Sequence, residues 1–172
     1  MPQSYFALFN LEPRFALPGE QLDRAYRTLA TRVHPDRYAR ATPSEQRQAL
    51  ELATNANEAY RTLKKPVLRA QHLLSLRGIE TVARSATIPA ALLLEQMEWR
   101  EALSDAQATH DGNALQRLDT TVRGRAAALL ARLETQLDAE KDNPAAAQSV
   151  QQLMFVEKLI ADIDEARALL EA

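Results

Sequence analysis

The feature that most limits the fold is a helical rhythm of apolar residues, cut at intervals by proline, glycine and asparagine. Leu22, Ala25, Tyr26, Leu29 and Val33 share one face of a helix predicted over residues 20–33. His34-Pro35-Asp36 stops it, because proline pushes the residue before it out of the helical region. Pro43-Ser44-Glu45 opens a second long helix running to about residue 63, with Ala49, Leu52, Ala53, Ala56, Tyr60 and Leu63 as its buried stripe. Two antiparallel helices joined by a loop over 37–42 therefore form the central unit. A short apolar cluster, Tyr5, Phe6, Leu8 and Phe9, precedes it as one or two helical turns. A further short helix over 66–76 follows, with Leu68, His72 and Leu73 or Leu76 facing inward and Gly78 at its end.

Three longer helices are predicted in the second half, over 89–109, 113–141 and 144–170, broken at Asp111-Gly112 and Asn143-Pro144. Leu115, Leu118, Val122, Leu129, Leu133 and Leu137 stripe the middle one, and Leu153, Val156, Ile160 and Ile163 the last. Short connections make these helices antiparallel neighbours, so a three-helix bundle is expected. The stripes drift at helical rather than strict heptad spacing, which disfavours a long coiled coil. Residues 79–88 show no clear period. The expected organisation is all-α: a first domain over 1–77, a linker over 78–88 and a C-terminal bundle over 89–172. Only 4 glycines and 5% aromatics, beside long Ala/Leu-rich stretches, agree with helices rather than strands.

Composition narrows the chemistry. There is no cysteine, which removes disulfides, thiolate metal sites and a cysteine nucleophile. No run is long and apolar enough to span a bilayer, and residues 1–15 lack the basic start and continuous apolar stretch of a secretory signal. A soluble, cytoplasmic protein is expected. Residues 1–77 hold 12 Lys/Arg against 7 Asp/Glu, a net of +5, and residues 78–172 hold 9 against 16, a net of −7. This imbalance points to two parts with different partners. The basic half is not basic enough to make nucleic acid a leading idea. His72 and His110 lack ligand spacing to each other or to His34, so no metal is expected.

One candidate site lies at the tip between the first two long helices. Pro35 stiffens the turn, His34 offers a ring that donates and accepts hydrogen bonds, and Asp36 offers a carboxylate able to pair with an arginine of another protein. With no other catalytic group nearby, such a tip suits docking better than a reaction. An enzyme using His34 and Asp36 as acid and base would need a concave pocket with further convergent polar groups. On the preceding helix, Arg24, Arg27, Thr28 and Thr31 lie opposite the apolar face, a basic surface free to meet an acidic partner.

Together, Tyr26-Arg27-Thr28-Leu29-Ala30, His34-Pro35-Asp36-Arg37 and Asn57-Glu58-Ala59-Tyr60-Arg61-Thr62-Leu63 resemble a J domain. The tripeptide alone is a weak pattern; with both flanking helices it is a strong one. The resemblance implies a J-domain helical hairpin with flanking short helices, whose loop and basic helix contact a DnaK-class chaperone and stimulate its ATPase. It assigns His34, Pro35 and Asp36 as essential, with Arg24, Arg27, Thr31, Arg32 and Arg37 as supporting contacts. Val33 departs from the Tyr common in that family, an apolar exchange that bears on packing more than on docking.

Most J proteins continue into a Gly-rich or zinc-binding region, and this chain does not. Instead Leu73-Leu74-Ser75-Leu76-Arg77-Gly78 leads to Leu93-Leu94-Glu95-Gln96-Met97-Glu98-Trp99-Arg100-Glu101. Ile88, Leu92, Trp99 and Leu103 share one side of that helix, whereas Leu93, Leu94 and Met97 occupy another. One helix cannot easily bury both sides in a three-helix bundle. The second patch is either covered by the first domain or exposed for binding. The arrangement is similar to the HscB family, J proteins dedicated to iron–sulfur cluster assembly. That likeness covers essentially the whole chain and is looser through the last two helices. It implies that HscA is the chaperone and that the scaffold IscU is the client. Leu93, Leu94, Met97, Glu98, Arg100, Glu101 and Phe155 match the client-binding positions. Neither a cofactor nor turnover of its own is implied. The cysteine metal site of some eukaryotic relatives is missing, which points to a bacterial type. The alternatives are a J protein serving a different client and a purely structural helical protein.

Overall fold

The computed structural model describes residues 4–79 and 90–171, the side chains of Pro35, Ala91 and Glu171 excepted. Every regular element among the described residues is helical. The order is α1 (Tyr5–Leu8), α2 (Gly19–Arg32), a 3-10 turn (Pro35–Tyr38), α3 (Pro43–Lys64), α4 (Pro66–Leu76), α5 (Ala90–Ala108), α6 (Gly112–Glu134), a π-helical turn (Thr135–Ala139) and α7 (Asn143–Glu171). Two compact units result. One gathers residues 1–80 with 134–143, and the other 81–133 with 144–172. From residue 80 on, the linker expected over 78–88 lies outside the described residues, as do Ile88 and the predicted helix start at Pro89.

In the first unit, α1, α2, α4 and the 3-10 turn all pack on α3. The buried set includes Phe6, Phe9, Phe15, Leu22, Leu63, Leu73 and Leu74, with Leu137 joining from the 134–143 segment. The helix ends follow local chemistry. Thr42 and Glu45 form a reciprocal capping box at the start of α3, each side chain bonding the other's backbone N–H. At the end of α4, Gly78 takes φ +78°, and the Ile79 N–H reaches back to the Leu74 carbonyl at 2.9 Å. That left-handed cap needs glycine.

The 134–143 segment is fastened to this unit by polar contacts. The Phe15 and Ala16 N–H groups donate to the two oxygens of Asp138 at 2.7 and 2.8 Å. Arg77 donates to Asn143 Oδ1 at 2.8 Å and to the Leu137 carbonyl at 3.0 Å. The Arg69 guanidinium bonds the Leu63 carbonyl at 2.9 Å and lies 5.1 Å from the centre of the Phe15 ring. Burial lowers the pKa of Arg69, and the nearby Asp138 charge opposes that shift.

In the second unit, polar contacts join all three helices pairwise. Glu95 of α5 meets Arg125 of α6 at 3.5 Å, and Arg123 of α6 meets Asp164 of α7 at 2.6 Å. The Arg100 guanidinium of α5 lies 5.4 Å from the centre of the Phe155 ring on α7. Leu103, Leu115, Leu118, Val122, Leu129, Leu133, Leu153, Val156 and Ile163 are buried among them; Ile160, expected in the stripe of the last helix, is half-buried and Leu159 is buried instead. Asp119, also buried, is held by Arg123 at 2.7 Å and Arg167 at 3.4 Å. A carboxylate in such a place is stable only when paired.

Three local expectations are corrected. The 37–42 loop begins inside a 3-10 turn, because Pro35 sits at its first position and His34 caps it. Leu68, expected to face inward, is 37% exposed; Val67 and Ala70 are buried in that part of α4 instead. The helix predicted over 113–141 stops at Glu134 and passes into the π turn.

Candidate functional site

The residues that carried the J-domain resemblance meet across α2 and α3. The Tyr26 and Tyr60 rings stack with centroids 4.3 Å apart, and the Tyr26 hydroxyl donates to Asn57 Oδ1 at 2.8 Å. The Tyr60 hydroxyl and Lys64 Nζ both donate to Asp23 Oδ1, at 2.9 and 2.6 Å. These bonds hold the Asp23 carboxyl below its ordinary pKa, with Lys64 the larger cause. The motif residues thus act as a clamp on the hairpin, and the tip is what the clamp presents.

At that tip His34 has extended backbone and caps the 3-10 turn. Its Nδ1 accepts from the Asp36 N–H at 3.3 Å and lies 3.5 Å from Asp36 Oδ2. The His34 side chain is 58% exposed and that of Asp36 90%. This arrangement fixes where the ring and the carboxylate start from, yet leaves His34 Nε2 and Asp36 open to another protein. Arg24, Arg27 and Arg32 of α2 and Arg37 of the 3-10 turn are exposed. Thr31 is exposed too, but its hydroxyl donates to the Arg27 carbonyl at 2.9 Å. Val33, at the C-terminal cap of α2, is buried at 4% exposure and belongs to the packing.

The second constellation lies on α5. Leu93, Leu94 and Met97 are 47%, 59% and 59% exposed. Glu98, Arg100 and Glu101 are exposed beside them, and Phe155 is half-buried under Arg100. Met154, to which the sequence analysis assigned no role, is 45% exposed on α7. A large apolar side chain left outside the buried stripe was the available signal. Leu103 is buried and Leu92 and Trp99 half-buried, so the other side of α5 turns into the bundle as predicted.

His72 and His110 have structural roles. His72 Nε2 accepts the Tyr5 N–H at 3.0 Å, and its ring stacks on Tyr5 and Phe6. His110 takes φ 55° at the end of α5, and its Nδ1 lies 2.9 Å from the Gln107 carbonyl. Among the described residues no group of three or more His, Cys, Asp or Glu could hold a metal ion. No described helix is long and apolar enough to cross a membrane.

Comparison with known proteins gives the family. Residues 88–164 match a family described as the HSCB C-terminal oligomerisation domain. The chain is 46% identical to the co-chaperone protein HscB homolog of Burkholderia multivorans, across 95% of this chain and 93% of that protein. Among solved structures, the chaperone HscB from Vibrio cholerae matches with a TM-score of 0.86 and 38% identity, covering 98% of this chain and 99% of that one. Human co-chaperone HscB shares the fold, with a TM-score of 0.88 at 24% identity over 95% of this chain and 81% of that one. Sequence identity sustained along nearly the whole length, together with the J-type hairpin and the helical second unit, places this chain in the HscB family of co-chaperones.

Proposed function

We propose that this protein is a two-site adaptor of iron–sulfur cluster assembly. Its J domain, over 1–77, docks on an HscA-type DnaK-class chaperone and stimulates ATP hydrolysis. His34, Pro35 and Asp36 make the essential contacts, supported by Arg24, Arg27, Thr31, Arg32 and Arg37. Its C-terminal bundle, over 89–172, captures the scaffold IscU through Leu93, Leu94, Met97, Glu98, Arg100, Glu101 and Phe155. Residues 78–88 link the two. Holding both proteins on one chain raises the effective concentration of client at the chaperone. The hydrolytic groups belong to the chaperone, and this chain has no turnover of its own. It works in the cytoplasm.

The observation that carries the reading is the exposure, in a member of this family, of the His34–Asp36 tip beside the arginines of α2. Calorimetric titration tests the two sites separately. Changing Leu93, Leu94 and Met97 to Ala should weaken IscU binding by about 30-fold or more, as loss of apolar anchors at an interface centre does. His34→Gln should leave that affinity unchanged. Equal IscU affinity in the wild type and the triple variant would remove the second site from the proposal.

A further inference from the structure

A cavity in the first unit has a lining that shares no residue with either candidate surface. It measures about 550 Å³ and is bounded by the segment after α1, the end of α4 and the turn that precedes α7. Three cations line it, Arg14, Arg77 and Lys141, against two carboxylates, Glu12 and Asp138. Both oxygens of Asp138 are already committed to the Phe15 and Ala16 N–H groups. Arg77 is half-buried and bonds only neutral acceptors, the Leu137 carbonyl and Asn143 Oδ1. Two of its five N–H donors suffice for those, so others remain available. Arg14 and Lys141 have no ion-pair partner among the described residues. The positive charge here is therefore only partly balanced by the protein itself.

Lys141 adds an independent sign. Its backbone takes φ 54°, a left-handed conformation that favours Gly or Asn over a long side chain. The turn that holds it is closed by the Asp142 N–H bonding the Gln136 carbonyl at 2.9 Å and by the Asn143 N–H bonding the Lys141 carbonyl at 3.1 Å. An ammonium carried at a backbone position with this cost points to a use for it. Only Pro13 and Leu137 supply apolar lining, and no aromatic ring is present to stack a base. The lining suits compact oxyanions.

From this we infer that the cavity between Arg14, Arg77 and Lys141 binds a phosphate-type anion. The anion ties the segment after α1, the end of α4 and the turn before α7 together. It can come as free phosphate or pyrophosphate, or as the phosphates of a nucleotide. The inference does not depend on the co-chaperone reading.

Isothermal titration of the full chain with sodium pyrophosphate, at ionic strength held constant with NaCl, tests it. The wild type should bind one pyrophosphate per chain. Arg14→Gln combined with Lys141→Gln should weaken binding at least about tenfold, a loss discounted for the exposure of both groups. Arg77 is left in place because it holds the turn. Glu12→Gln, which removes the uncommitted carboxylate, should tighten binding severalfold. ATP in a parallel titration separates the sources: binding with the same variant dependence admits nucleotide phosphates, and failure restricts the site to free phosphate species. No binding to the wild type at 10 mM pyrophosphate, on the order of the weakest useful affinities, would overturn the inference. So would equal binding by the Arg14/Lys141 double variant.

Discussion

Replacing Asp138 tests whether the 134–143 segment is a working part of the first unit. Its two oxygens accept the Phe15 and Ala16 N–H groups at 2.7 and 2.8 Å, the short end of the range for charge-assisted bonds. Each such bond contributes about 1.5–3 kcal/mol. Asp138 is half-buried, so water can reach part of what is freed, and the lower figure applies. Asp138→Ala should then cost about 3 kcal/mol for the pair. Asp138→Asn retains one acceptor but turns an NH2 group toward the second N–H, and should cost about 2 kcal/mol. Amide hydrogen exchange is the assay, because it reports on these two N–H groups directly. At about 1.4 kcal/mol per tenfold, protection at Phe15 and Ala16 should fall roughly 100-fold in the Ala variant and roughly 30-fold in the Asn variant. Amides in the middle of α6 serve as the internal reference. Wild-type protection at both positions in Asp138→Ala would refute the reasoning and leave Asp138 a surface carboxylate.

Three further outcomes are expected. Burial holds the His72 pKa below its ordinary value, and its Nε2 must stay unprotonated to accept the Tyr5 N–H. The unfolded chain therefore binds this proton first: the stability contribution is full above about pH 6.5 and is lost as pH falls toward the lower folded-state pKa. Urea unfolding from pH 7.5 to 5 should show this loss, and His72→Phe should remove that part of the slope. Thr42→Ala breaks the capping box of α3 and should destabilise the first unit by about 1 kcal/mol, measurable as a lower urea midpoint with unchanged m-value. Asp119→Ala strips two arginines of a shared buried partner and should cost about 2–3 kcal/mol, below the fully buried range because both arginines are part-exposed; a change under about 0.5 kcal/mol would show that the cluster holds nothing.

Much of this was legible because short-range rules govern it. The α2 and α3 helices, the stop at Pro35, the start at Pro43 and the end at Gly78 each depend on residues a few positions apart. The exposed Leu93, Leu94 and Met97 were visible as one helix with more apolar surface than a bundle can cover. What escaped depends on distant partners. Nothing near Asp138 in sequence shows that it bonds Phe15 and Ala16, and nothing near Arg77 shows that it bonds Asn143. The 134–143 segment therefore read as part of one long helix and its turn. Leu68 failed for a related reason: in the short α4, the choice of buried face rests with Val67 and Ala70, and periodicity alone fits either face. His72 was placed in the packing, but its bond to the Tyr5 N–H was out of reach. For the candidate surfaces, residue identity was readable while exposure was not.

The central claim is that one chain joins two surfaces, one acting on a chaperone ATPase and one on its client. Steady-state ATP hydrolysis by purified HscA, with and without IscU, tests it most directly. The wild type should stimulate hydrolysis alone and more with IscU. His34→Gln should abolish both effects, and the Leu93/Leu94/Met97→Ala variant should lose only the IscU-dependent increment. Full stimulation by His34→Gln would contradict the claim at its root, because the tip between α2 and α3 would then have no part in driving the chaperone.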